Sequence, residues 1–182
     1  MKRKKLIFIL PVIAVLATLA YRFGLPVVRK QLSVNREKIA EGESTQVKLL
    51  ENWTIASETD KEIVVTRQED DAEIQSKVVL LKTQPEIDNF SNYVDRLVQG
   101  AQQTLPSLRY SSQTEVQTEN DWQAKELIGY YTSSGDRVNL IQQLYFENGQ
   151  LITITASYGE ENKEDKESEI NSVFDFLKHT YL

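Results

Sequence analysis

The sequence has no cysteine, one histidine and one methionine among its 182 residues. Without thiols there is no disulfide framework, thiolate nucleophile, cysteine-ligated metal or lipidated N-terminal cysteine. An exported domain built from this chain rests on packing alone. The lone histidine, His179, falls near the end of the last amphipathic stretch. There it suits the negative end of a helix better than a Ser-His triad. The Gly-x-Ser-x-Gly, GxxxxGKS/T and HExxH signatures are absent. Asp70 to Glu73 lacks the alternating oxygen ligands, the glycine and the twelfth-position acid of a calcium loop. No cofactor or metal is expected.

Acid is also missing from the first 30 residues, which hold seven of the 21 basic residues and none of the 27 acidic ones. Lys2-Arg3-Lys4-Lys5 runs into an uncharged apolar stretch from Leu6 to Ala20, closed by Tyr21-Arg22 and followed by Phe23 to Val28. As a helix, residues 6 to 21 rise about 24 Å, close to the roughly 30 Å of a hydrocarbon core. Arg22 can snorkel toward the headgroups. The best cleavage points, Thr18-x-Ala20 and Val15-x-Ala17, match Ala-x-Ala poorly, which favours an uncleaved anchor over a signal peptide. The basic cluster places the N-terminus in the cytoplasm and the rest of the chain outside it. The expected organisation is a transmembrane anchor over 1–28, a polar linker over 29–46 and an extracytoplasmic domain over 47–182.

Beyond residue 30 the chain carries 14 basic and 27 acidic residues, a net charge of −13. Such a surface repels phosphate backbones and anionic lipid, so nucleic acid is excluded as a partner. The acidity itself reads as a solvated surface.

From Val47 the apolar pattern has a period of two. Val47–Leu50, Trp53–Ser57 and Ile63–Arg67 read as short strands and Glu73–Lys82 as a longer one, with Trp53, Ile55 and Ser57 on one side. Pro85 stops that run. Asp88 is the expected cap of a helix whose stripe is Phe90, Val94, Leu97 and Ala101, and Pro106 ends it. Four strands follow as a meander, Arg109–Thr118, Trp122–Thr132, Arg137–Glu147 and Gln150–Tyr158. Their turns are signalled by Ser133-Ser-Gly-Asp136 and Asn148-Gly149. A closing helix, acidic from Glu160 to Glu169, carries the stripe Ile170, Val173, Phe174, Leu177 and Tyr181. The fold class is α+β: a twisted antiparallel sheet of three or four N-terminal strands plus the meander, with two packed helices.

Chemistry-bearing patterns are few. Glu69-Asp70-Asp71, Glu119 with Asp121, and Glu160-Glu161 are carboxylate pairs in turns and helix starts rather than across a cleft. Asn52-Trp-Thr54 and Asn89-Phe-Ser91 match the glycosylation pattern as accidental short matches. The meander is rich in aromatics, and Tyr131 and Tyr145 can pair across neighbouring strands. They complete the core, or with Trp122 they form a partner-binding face of exposed aromatics.

The ordered features resemble the Mog1/PsbP/DcrB-like superfamily, in particular small bacterial DcrB-like domains. The resemblance rests on Glu51-Asn-Trp53-Thr-Ile, on Phe90-Ser-Asn-Tyr93-Val-Asp-Arg-Leu97 and on Trp122 to Tyr131. It rests also on Gln142 to Ala156, with Gly149 inside it, and on the closing Val173-Phe174-x-x-Leu177. It covers residues 47–182. Glu51-Asn replaces the family's Pro-x-Gly before the tryptophan, Asp121-Trp122 replaces its usual glycine, and the lipobox cysteine of several members is absent. The resemblance implies a non-enzymatic binding or accessory module for an envelope protein or membrane complex, and no site residue is carried over. The alternative is a tethered or secreted hydrolase using a carboxylate pair.

Overall fold

The computed structural model describes residues 48–67, 76–118, 122–160 and 163–182. The anchor, the linker, the acidic runs at 69–71 and 119–121, and Glu161 lie outside the described residues. Among the described residues no helix is long and apolar enough to cross a membrane.

The elements run β1 (Trp53–Glu58), β2 (Glu62–Arg67), β3 (Lys77–Thr83), α1 (Phe90–Thr104), β4 (Arg109–Glu115), β5 (Gln123–Ser133), β6 (Asp136–Glu147), β7 (Gln150–Gly159) and α2 (Lys163–Tyr181). All seven strands join one antiparallel sheet in the order β1-β2-β3-β7-β6-β5-β4. The expected α+β architecture is therefore the observed one, with three N-terminal strands. Lys48–Leu50 are not strand; Leu49 and Leu50 pack loosely on the core instead. The helix cap is Asn89 rather than Asp88, its Oδ1 accepting from the Asn92 amide at 2.9 Å. Glu160 precedes α2 rather than opening it.

The two hairpin turns form where their sequences place them. Asn148 (φ 50°) and Gly149 (φ 77°) both take the left-handed region, as do Ser134 (φ 54°) and Gly135 (φ 97°). That twist matches the flanking strands and fixes the β5–β6 and β6–β7 registers.

The helices cover opposite faces of the sheet. α2 lays Ile170, Val173, Phe174 and Leu177 on Ile63, Val65, Val78, Leu80, Ile152, Ile154 and Ala156. Burying those four helix side chains contributes at most about 6–12 kcal/mol. α1 crosses the other face, placing Phe90, Tyr93, Val94 and Leu97 on Leu127, Leu144 and Leu151, and Ala101 near Tyr131, Val138 and Leu140. Phe90 stacks on Phe146 with centroids 5.9 Å apart.

Both sheet edges are bulged, between Ile55 and Ser57 in β1 and between Tyr110 and Ser112 in β4. The first bulge breaks the expected alternation only after Ile55: Ile55 lies opposite Val65 on the Trp53 side, 36% exposed on this edge strand, whereas Ser57 is shifted to pair with Val64. Bulges twist an edge away from further strand pairing. Beside the second, Gly129 has no room for a side chain, since a Cβ there would lie 2.4 Å from the Arg109 carbonyl oxygen.

Candidate interaction surface

Alternation along β5 and β6 decides where the aromatics point. Ala124 lies opposite Tyr145, and Tyr131 opposite Val138. Tyr145 therefore faces α2 and Tyr131 faces α1, on opposite sides of the sheet, and they do not pair. Both are buried, Tyr131 against Ala101, Leu108 and Leu140 and Tyr145 among the α2-side core. Trp122 is half-buried on the Tyr145 side. The three residues do not form one exposed aromatic face, because the fold spends Tyr131 and Tyr145 on packing.

What lies open is the part of the α2 face beyond that helix. α2 packs mainly on β3 and β7, and beyond it Glu126, Ile128 and Tyr130 of β5 are the partly open side chains of that face. Ile128 stands in this strip at 36% exposure, an uncommon outlay of apolar surface in so polar a chain. It is flanked by two ordered polar groupings. On one side the Arg137 guanidinium lies 4.0 Å from the centre of the Tyr130 ring, and its Nε is 3.2 Å from Glu160 Oε2. Asn139 Nδ2 donates to the same oxygen at 3.1 Å. On the other side Tyr145 Oη donates to Gln143 Oε1 at 2.6 Å, and Gln143 Nε2 donates to Glu126 Oε2 at 2.7 Å. Burial first, then the charges of Glu126 and Asp175, push the Tyr145 hydroxyl well above its ordinary pKa, so it stays a donor.

A second polar cluster ties α2 to the N-terminal strands. Glu169 accepts from Arg67 Nε at 2.7 Å and Nη2 at 3.0 Å, from Trp53 Nε1 at 3.1 Å and from Asn52 Nδ2 at 3.3 Å. Partial burial alone would raise this carboxyl, but the bonds from Arg67, Trp53 and Asn52 and the Arg67 charge hold it below its ordinary value. Arg67 and Glu169 also line a shallow recess with Asp165, Lys166 and Ser168. Nearby, Tyr158 Oη donates to Glu167 Oε1 at 2.7 Å. Glu169 reads in sequence only as one acid of an acidic helix start; the arginine and tryptophan that use it lie more than a hundred residues away. The sequon asparagines are engaged too, Asn52 with Glu169 and Asn89 as the α1 cap.

No group of three or more His, Cys, Asp or Glu residues capable of holding a metal ion occurs among the described residues.

The arrangement of strands and helices is shared with solved structures. PA94 of Pseudomonas aeruginosa, a protein of unknown function, superposes with a TM-score of 0.55 at 14% identity over 65% of this chain and 83% of its own. LpqN of Mycobacterium tuberculosis, involved in cell envelope biogenesis, gives 0.50 at 16% identity over 70% of this chain and 78% of its own. The likeness to these two structures is one of fold. A variant of Mog1 itself gives 0.48 at 9% identity over 71% of this chain and 83% of its own. No protein-family model and no curated protein sequence matches the chain. Trp53, the residue of the early tryptophan strand, is a buried core side chain whose indole nitrogen donates to Glu169.

Proposed function

We propose that the protein is a membrane-anchored accessory module whose folded domain lies outside the cytoplasm and binds an envelope protein or membrane complex without catalysing a reaction. The observation that carries this reading is the pairing of two parts in one chain. A basic and apolar N-terminal segment supplies the membrane address. The Mog1/PsbP/DcrB-like domain behind it has the fold of LpqN, a protein of cell envelope biogenesis. The exposed strip around Ile128, Tyr130 and Arg137 is the partner-binding surface in this reading. It joins apolar area to a stacked arginine and an aromatic ring, the residue types that dominate interface energetics. Glu160, Glu167 and Glu169 are tied to structural partners, and the reading gives none of them a catalytic step.

The absence of native cysteine permits a background-free test. A single Asp136→Cys substitution at the exposed β5–β6 turn should react with a membrane-impermeant maleimide in intact cells, and the chain should remain with the membrane after an alkaline wash. Labelling only after lysis would overturn the topology. Crosslinking of the same cells should then recover a specific envelope protein with the wild type and lose it with Ile128→Asp.

A further inference from the structure

We infer that the open strip of β5 seats an amphipathic helix of the partner protein, which brings a lysine or arginine to Glu126 and an apolar side chain to Ile128. The inference rests on the reading of that strip as the partner-binding surface and names the chemistry of what binds there. Glu126, Ile128 and Tyr130 share the α2 side of β5, and their neighbours on the edge strand β4 are Thr114, Ser112 and Arg109. Thr114 and Ser112 are short, with their hydroxyls 3.2 Å from each other, so β4 raises only a low rim beside Glu126 and Ile128. Two strands span about 10 Å, the distance at which helices pack side by side. The same face already takes one helix in this way, α2 on β3 and β7. An extended partner would instead need the edge of β4, where the bulge between Tyr110 and Ser112 interrupts pairing.

The sign of the missing charge follows from the groups around the strip. Arg137 is matched by Glu160, and Asp175 of α2 is matched by Lys178 at 2.6 Å. Arg109 turns its Nη1 to the carbonyl oxygens of Pro106 and Leu108, at 2.6 and 2.8 Å. Glu126 has no cation among the described residues: Oε2 accepts from the Gln143 amide, and Oε1 accepts from nothing. It is half-buried, so a counter-charge there gains more than at a fully solvated carboxylate. The bond from Tyr145 to Gln143 orients this carboxylate before any partner arrives. The net charge of −13 beyond residue 30 attracts a basic segment at long range and repels a second copy of this chain. Glu126 and Ile128 are two strand residues, about 7 Å, apart, and helix residues four apart rise about 6 Å. The cation therefore stands one helical turn from the apolar side chain that meets Ile128.

The test is photo-crosslinking in intact cells by the full-length chain carrying p-benzoylphenylalanine in place of exposed Thr114, directly opposite Glu126. The same group in place of Gln113, which faces α1 and bonds Asp95, is the control for the other side of the sheet. The Thr114 position should give an adduct with a second protein, and Gln113 should not. Mass spectrometry should map that adduct to a segment with apolar residues at helical spacing and a lysine or arginine one turn from one of them. Glu126→Gln should lower the yield about tenfold, as expected on losing a charge-assisted bond, and Glu126→Lys should abolish it. Changing the mapped cation to glutamate should restore the adduct in the Glu126→Lys chain, which a loss of folding could not do. An adduct indifferent to Glu126→Lys, or mapped to a segment without a cation, overturns the basic helix while leaving a partner on the strip. An adduct mapped to this chain, whether a second copy or its own residues 29–46, overturns it as well. No adduct at Thr114 overturns the docking, and the accessory-module reading falls with it only if the Ile128-dependent envelope partner is also missing.

Discussion

Replacing Glu169 with glutamine tests how the closing helix is fastened to the first strands. The substitution keeps the shape but removes the charge, and it puts an amide NH2 where one carboxylate oxygen accepts from Arg67 or from the Trp53 and Asn52 side chains. A hydrogen bond to a charged group is worth about 1.5–3 kcal/mol when sheltered, and an exposed ion pair under about 1. Arg67 and Glu169 are 23% and 24% exposed, between those limits. The expected loss is about 2 kcal/mol at pH 7, or roughly 6–8 °C in Tm for a domain of this size. The sign of the pH dependence follows from the depressed carboxyl. Its folded pKa is below its unfolded one, so the stabilisation is fully present above the unfolded value, near 4.5. It is lost as pH falls through the folded value. Thermal unfolding followed by circular dichroism should therefore show the wild-type advantage constant from pH 7 to about pH 5.5, then narrowing toward pH 3. A gap of the same size at pH 3 and pH 7 would refute the electrostatic account and leave only shape.

Two glycines should fail for different reasons. Gly149→Ala meets no neighbouring atom but must hold φ 77°, and should cost about 1 kcal/mol. Gly129→Ala has an ordinary φ but drives a Cβ into the Arg109 carbonyl, and should cost more than Gly149→Ala in denaturant titrations while loosening β4 in hydrogen exchange. The core tyrosines and the open strip should also separate cleanly. Tyr131→Ala should cost about 3 kcal/mol or more in unfolding experiments, whereas Ile128→Asp should change stability by under about 1 kcal/mol and act on partner crosslinking instead.

The parts of the fold that the sequence displays are those set by local chemistry. Asn148-Gly149 and Ser134-Gly135 announce their hairpins because few other residues accept those backbone angles, and the stripes of both helices are legible from their periodicity. The bulges in β1 and β4 carry no such mark, and the first takes Ser57 out of the alternation that Trp53 and Ile55 keep. The opposite placement of the tyrosines was nonetheless available. A two-residue turn pairing Ser133 with Asp136 makes every β5–β6 partnership join an odd position to an even one. Tyr131 and Tyr145, both odd and on adjacent strands, must then face opposite ways. Glu169 and Glu126 are different. Their significance arises from residues brought to them from other elements, which spacing along the chain does not reveal.

Tyr145 links the buried core to the open strip, and so gives a finer test of the surface than either alanine or aspartate. Its hydroxyl fixes Gln143, and Gln143 in turn holds Glu126 beside exposed Ile128. Tyr145→Phe preserves the ring's packing but leaves the Gln143 carbonyl oxygen without its donor, at a cost of about 1 kcal/mol. Gln143 is itself only 8% exposed, so water cannot readily replace that bond. If the strip binds by presenting an ordered carboxylate next to an apolar side chain, this small change in the interior should weaken partner crosslinking while the domain stays folded. Glu126→Gln should then weaken it to a similar degree, and the two together by little more than either alone, because they act on one element of the surface. Full additivity would mean that Tyr145 and Glu126 act on the partner independently, and would break the proposed link through Gln143.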